Sequence, residues 1–136
     1  MNILFVCRYN RFRSRVAAAA FKKFNKNRSI KVKSAGVIRG NPLSPLTVGL
    51  AKEAGLDIRG KTKGLSSKLM QWQEVTILVA NDVPPALFDR NKEYGKKVII
   101  WQIPDIKDNN KDGARKIIKE IIIKTKELAK QLGEIK

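Results

Sequence analysis

The lone cysteine of this chain, Cys7, opens the stretch Cys7-Arg8-Tyr9-Asn10-Arg11-Phe12-Arg13-Ser14. A thiol is a nucleophile as the thiolate, and nearby cations or a helix N-terminus favour that form. Arg13 closes the loop and can offer two parallel N–H bonds to the oxygens of a phosphate. Ser14 has a hydroxyl to donate to the thiolate, and Asn10 tolerates the left-handed backbone of a tight loop. The chemistry such a loop supports is nucleophilic attack on a phosphate-like anion cradled by backbone N–H groups. The plain alternative for Cys7 is a buried core thiol at a strand end.

Transfer of a phosphoryl group to sulfur also needs an acid to protonate the departing oxygen. Asp105 follows Trp101-Gln102-Ile103-Pro104, just beyond an apolar run, and Pro104 stiffens its approach. Asp82, just beyond another apolar run, and Asp108 compete for the same role. Placement favours Asp105. No histidine is present, which excludes His-dependent triads, and one cysteine excludes an intrachain disulfide or a Cys-based zinc cluster. A His/Cys metal site is not expected.

Charge points the same way. Net charge is +17, and residues 1–52 hold 12 Lys and Arg with no Asp or Glu. Four of the nine arginines fall between Arg8 and Arg15. Such a field draws phosphate esters, nucleic acid or an anionic surface. A solvated lysine-rich surface accounts for many of the lysines, less well for the arginine cluster.

The elements that must position these residues follow from periodicity. Asn2–Val6 reads as a short buried strand, and Ser14 as the cap of a helix running to about Asn25 through Val16, Ala17, Ala20, Phe21 and Phe24. Ile30–Val37 alternates as a strand, and Ser44-Pro45 opens a helix to Ala54 that stops at Gly55. Val75–Ala80 and Lys97–Trp101 are further strands, with a short helix around Ala86–Lys92 between them. From about Asp112 a long helix aligns Ala114, Ile118, Ile121, Thr125, Leu128 and Leu132, a stripe suited to covering a sheet. Four short strands alternating with helices predict an α/β domain, residues 1–136, with a mostly parallel sheet covered on both faces. Ligands bind at the carboxyl ends of such strands, where Cys7 falls. The early strand argues against a transit peptide, so cytoplasm is the default, with no membrane span expected.

Ile3-Leu4-Phe5-Val6-Cys7 with Asn10 and Arg13-Ser14 resembles the low-molecular-weight protein tyrosine phosphatases and their arsenate reductase relatives. The likeness continues through Ser34-Ala35-Gly36-Val37, Gly40-Asn41-Pro42, Ala54-Gly55-Leu56-Asp57-Ile58 and Ile103-Pro104-Asp105. It implies a flavodoxin-like three-layer sandwich with a four-stranded parallel sheet. It implies Cys7 as nucleophile, Arg13 as phosphate clamp and Asp105 as general acid then base, through a phosphocysteine intermediate and without cofactor. Asn10, Ser14 and Ser34 match positions that hold the loop in shape.

The chain departs from that family pattern inside the loop. Tyr9 stands where glycine is usual, Phe12 where a second cysteine is usual, and Arg15 where proline is usual. Gly60 falls near a supporting histidine, and the aromatic expected after the second strand falls near Arg39-Gly40. The expected partner is a phosphorylated protein, phosphotyrosine by family default, or a small phosphate ester, acted on by a monomer or weak homodimer. Arsenate reduction would need an external thiol, since no second cysteine is present. A non-catalytic phosphate or nucleic-acid binder is the third reading, with no RNA-binding motif or stacking aromatic stripe behind it.

Overall fold

The computed structural model describes residues 1–107 and 110–133. Asp108, one competitor for the acid role, lies outside the described residues. Four strands, β1 (Asn2–Cys7), β2 (Lys31–Gly36), β3 (Val75–Val79) and β4 (Lys97–Trp101), form one sheet in the order β2-β1-β3-β4. Every pairing is parallel. Parallel strands must be joined by crossovers, and here helices supply most of them: α1 (Arg13–Phe24) after β1, and α2 (Pro45–Glu53) with α3 (Ser67–Trp72) between β2 and β3. A kinked 3-10 segment, Pro85–Tyr94, links β3 to β4, and α4 (Lys111–Gly133) closes the chain. This is the flavodoxin-like architecture.

The continuous apolar run of β1 is explained by burial on both faces. Ile3 and Phe5 join the larger cluster with Val16, Ala17 and Phe21 of α1 and Ile118 and Ile121 of α4. Leu4 and Val6 join Leu78 and Phe88 on the opposite face, backed by Leu69 and Trp72 of α3. Phe5 packs at tilted angles against Phe21 and Trp101, with ring centroids 6.1 and 5.8 Å apart, anchoring β1 between α1 and β4. Each fully buried side chain of this kind stabilises the fold by about 1.5–3 kcal/mol, so the strand that ends at Cys7 is firmly held.

Several boundaries differ from the sequence reading for physical reasons. Ser14 does not cap α1; Phe12 is the N-cap and makes no side-chain cap bond, while Ser14 sits inside the first turn. Ser44 does cap α2, accepting from Leu46 N at 3.2 Å. The expected helix around Ala86–Lys92 is 3-10, broken at Phe88 (φ −113°, ψ 18°), whose side chain turns into the core there. The buried stripe of α4 also takes in Ile117 and Ala129. Helix α3 has no counterpart in the sequence reading: it is six residues long and buries none of them completely. Among the described residues no helix is long and apolar enough to cross a membrane.

The strand order sets the site. β1 is central, and the chain reaches β2 on one side and β3 on the other. The crevice at the carboxyl end of such a strand is the usual ligand position of an open α/β sheet. The exits of β3 and β4, carrying Asp82 and Asp105, lie at the same edge.

Candidate active site

The link from Cys7 to Arg13 turns back on itself through Asn10, the one non-glycine residue with positive φ (57°) among the described residues. That strained backbone is held by a completely buried side chain that uses every bond it can make. Asn10 Oδ1 accepts from Lys63 N (3.0 Å) and Arg15 Nη1 (3.1 Å). Asn10 Nδ2 donates to Ser14 Oγ (2.9 Å) and Ser34 Oγ (3.0 Å). Ser14 Oγ in turn lies 3.0 Å from Cys7 Sγ. Asn10 donates to the serine oxygen and does not take its proton, so the Ser14 hydroxyl can donate to the sulfur when Cys7 is a thiolate.

The outer wall of the loop is laced to the segment after β2: Val37, Ile38 and Gly40 N–H donate to the carbonyls of Cys7, Arg8 and Tyr9. At Gly40 the approach is too close for any side chain. A Cβ there would lie 2.6 Å from Tyr9 O and 2.8 Å from Tyr9 Cβ. Arg11 bends outward along the same wall, donating through Nε and Nη2 to Pro42 O at 3.2 and 2.9 Å. Phe12, by contrast, faces the core.

Arg13 is 2 % exposed, which a guanidinium tolerates only with partners on its nitrogens. Nη1 donates to Ile103 O at 3.0 Å, which ties the loop to the exit of β4. Nη2 pairs with Asp82 Oδ1 at 3.0 Å and stands 3.6 Å from Asp105 Oδ2. Both acids weighed in the sequence therefore converge on one nitrogen. They differ in setting: Asp105 is half exposed and lines a pocket of about 540 Å³ with Cys7 and Arg13, whereas Asp82 is not part of its lining. Asp105 Oδ1 accepts Ile106 N at 2.9 Å, which fixes the carboxylate plane at the rim. The remaining walls are Tyr9, Arg11, Phe12, Leu43–Pro45, Thr47 and Ile106. A thiol, a guanidinium and a carboxylate thus open on one cavity whose other sides are apolar and hydroxyl groups with a second arginine, Arg11.

The family model of low molecular weight phosphotyrosine protein phosphatases matches residues 2–136. The chain belongs to this family. No curated protein matches. Among solved structures, the low molecular weight protein tyrosine phosphatase of T. tengcongensis is 25% identical at a TM-score of 0.81, over 96% of this chain and 99% of that one. The YwlE arginine phosphatase of Geobacillus stearothermophilus shares the fold at 24% identity and a TM-score of 0.82, covering 97% and 92%. The thioredoxin-dependent arsenate reductase of Corynebacterium glutamicum is 26% identical at a TM-score of 0.73, covering 98% of this chain and 63% of that one. Phosphatases and arsenate reductases thus both share this phosphatase-family fold.

Against the family pattern, four of the departures noted in the sequence pair off in space: Tyr9 with Gly40 and Arg15 with Gly60. Tyr9 projects where Gly40 leaves room, so an aromatic on the loop faces the pocket instead of one after β2. Arg15 reaches across to the turn containing Gly60. Its Nε donates to Ile58 O (2.8 Å), Nη2 to Arg59 O (2.9 Å) and Nη1 to Lys61 O (2.9 Å). Burial lowers the Arg15 pKa from its ordinary value, with the charges of Cys7 and Asp57 opposing that shift. The same turn is braced by Asp57, whose carboxyl is lowered to about 2 by hydrogen bonds from the Arg59 side chain and backbone. In the sequence Asp82 stands only as a competitor for the acid, and Arg15 only as one of the arginine cluster and a departure in the loop; their bonds to Arg13 and Asn10 are not foreseen there. The co-occurrence of Arg15 and Gly60 was the available signal for Arg15. Among the described residues no cluster of His, Cys, Asp or Glu could hold a metal ion.

Proposed function

We propose that the protein hydrolyses phosphomonoesters at Cys7, with phosphorylated tyrosine on proteins or small aryl phosphates as substrate. The observation that carries this reading is the convergence of Cys7, Arg13 and Asp105 on one pocket, with Ser14 Oγ 3.0 Å from the sulfur. An incoming phosphate dianion competes with the 3.6 Å Arg13–Asp105 contact, so Arg13 turns its charge to the phosphate and Asp105 is released to act on the leaving group.

The thiolate of Cys7 attacks phosphorus as the ester P–O bond breaks, and the protonated Asp105 carboxyl gives its proton to the departing oxygen. Arg13 and the N–H groups of the loop hold the three equatorial oxygens. In the second step a water oxygen attacks phosphorus, its proton passes to the Asp105 carboxylate, and the P–S bond breaks. The released thiolate is received by the Ser14 hydroxyl, and inorganic phosphate leaves.

Tyr9, Leu43 and Ile106 give the pocket apolar walls suited to a ring, which supports an aryl ester over a small sugar phosphate. Cys7→Ser should abolish p-nitrophenyl phosphate turnover while preserving phosphate binding. Wild-type-like turnover by purified Cys7→Ser protein would overturn the mechanism. A panel of phosphotyrosine peptide, phosphoarginine peptide and sugar phosphate ranks substrates. Arsenate with glutathione as external thiol tests the reductase reading, to which the 26% identical arsenate reductase lends support. Salt-sensitive binding to RNA without hydrolysis of any ester would indicate a binding module instead.

A further inference from the structure

We propose that Arg15 is a positioning residue for the nucleophile: through Asn10 and Ser14 it fixes the direction of the hydroxyl proton that faces Cys7 Sγ. The inference rests on the phosphatase reading only for its kinetic readout. Its structural basis is a bond-by-bond constraint.

An asparagine amide can be turned over, exchanging donor and acceptor ends, unless its partners forbid it. Here Asn10 Oδ1 faces two N–H donors, the Lys63 backbone and the Arg15 guanidinium. Neither can accept a hydrogen bond, so the oxygen must lie on that side. Asn10 Nδ2 is then committed to Ser14 Oγ and Ser34 Oγ. Asn10 therefore donates to Ser14 Oγ and cannot draw off its proton, and toward a thiolate, which has no proton of its own, the Ser14 hydroxyl is the donor across 3.0 Å. Every step of this relay is buried or part-buried, where an unmade bond is costly.

The guanidinium itself is set by the turn at residues 58–61. Three of its bonds go to the carbonyls of Ile58, Arg59 and Lys61, and the fourth is aimed at Asn10. A lysine cannot make that fan of bonds, because it presents a point charge and not a planar fork. Gly60 makes the passage available: it has φ +135°, and a Cβ there would lie 2.7 Å from Arg15 Nη2. Arg15 and Gly60 therefore form one device, built from two of the positions where this chain leaves the family pattern.

The other charges about the thiol are Arg8, Arg11 and Arg13 on its own loop, Asp82 and Asp105 on the exits of β3 and β4, and Asp57 with Arg59, Lys61 and Lys63 on the turn behind. The variants below leave all of these in place. Burial lowers the Arg15 pKa, while the Cys7 charge raises it, consistent with the two groups sensing each other.

Alkylation of Cys7 by iodoacetamide across pH needs no substrate, so it tests the inference separately from the phosphatase reading. In Arg15→Met the midpoint of the alkylation profile should move to higher pH, and kcat for p-nitrophenyl phosphate should fall roughly tenfold, more than KM changes. Arg15→Lys should recover part of the midpoint shift, through its charge, and little of kcat. Gly60→Ala, which displaces the guanidinium without removing it, should reproduce the Arg15→Met signature; it also serves if Arg15→Met does not fold. Adding Arg15→Lys to Ser14→Ala should cost no further kcat, because the relay is already cut. A wild-type alkylation profile in Arg15→Lys and Gly60→Ala, or additive losses in the Ser14→Ala/Arg15→Lys pair, would overturn the proposal. A lowered melting temperature accompanied by an unchanged profile would show that Arg15 merely braces the turn, and would overturn it equally.

Discussion

Arg13 Nη2 lies 3.0 Å from Asp82 Oδ1, and the guanidinium is almost wholly buried while the carboxylate is about a third exposed. The pair therefore behaves as a partly buried ion pair in which the arginine has the more to lose. Asp82→Asn keeps a hydrogen-bond acceptor but removes the charge, leaving Arg13 to lean on Asp105 and the Ile103 carbonyl. The expected loss of stability is about 1–3 kcal/mol, read from the urea midpoint. Because Asp82 does not line the pocket, the leaving-group dependence of kcat should stay as in the wild type. A variant of unchanged stability would show that Asp82 is dispensable to the clamp.

Asp105→Asn should give the opposite pattern. Its carboxylate is half exposed and stands farther from Arg13, so removing its charge should leave the urea midpoint nearly unchanged. What is lost is the proton for the leaving oxygen, a contribution of about 10²–10⁴ in rate. The loss should be greatest for alkyl phosphates and phosphotyrosine, and least for p-nitrophenyl phosphate, whose phenolate departs unaided. A uniform loss across leaving groups would move the acid role elsewhere.

Much of this was legible in the chain itself. β1 showed as a five-residue apolar run because both of its faces are covered, and the Cys7–Ser14 loop showed because its residue types sit at the end of that run. Ser14 was misread as a helix cap because a serine ahead of an apolar run is the ordinary cap signal. The other reading of Ser14, a hydroxyl beside the thiolate, is the one its 3.0 Å approach to Cys7 Sγ fits. Helix α3 was invisible since six residues, none of them fully buried, are too few to show a period. Asp82 and Arg15 depend on contacts across 69 and 43 residues of chain, which no local pattern records.

Tyr9 offers a test of substrate class. It lies on the loop beside Gly40 and lines the pocket, so it is positioned to pack on the ring of an aryl phosphate. Tyr9→Ala should raise KM for p-nitrophenyl phosphate and phosphotyrosine peptides about threefold to tenfold, the value of an aromatic contact. Turnover of a small alkyl phosphate should be little altered. Gly40→Val should be far more damaging, since the added side chain would strike the Tyr9 backbone and push the loop from its wall. Equal loss on aryl and alkyl esters in Tyr9→Ala would remove the ring-stacking role.

The turn that receives Arg15 should carry its own pH signature. Asp57 accepts from Arg59 Nε and Nη2 at 3.0 and 2.9 Å and from Arg59 N at 3.0 Å, which lowers its carboxyl from 3.8 to about 2. A carboxyl lowered on folding contributes stability that is present above its unfolded value of 3.8 and is lost as pH falls through about 2. Both partners are exposed, so solvent and salt screen the pair and the effect on global unfolding is small. Its local effect is the sharper observable. The Asp57 carboxyl resonance should titrate near 2 in the folded protein, and nearer 3.8 once Arg59→Ala removes the side-chain donors. Asp57→Asn keeps an oxygen for Arg59 N–H and so preserves the turn, while deleting the charge that faces Arg15. Its urea midpoint should match the wild type below the window and fall slightly short of it above, with the difference shrinking in high salt. A difference that instead grows as pH falls would reverse the sign and place the charge of Asp57 against the fold.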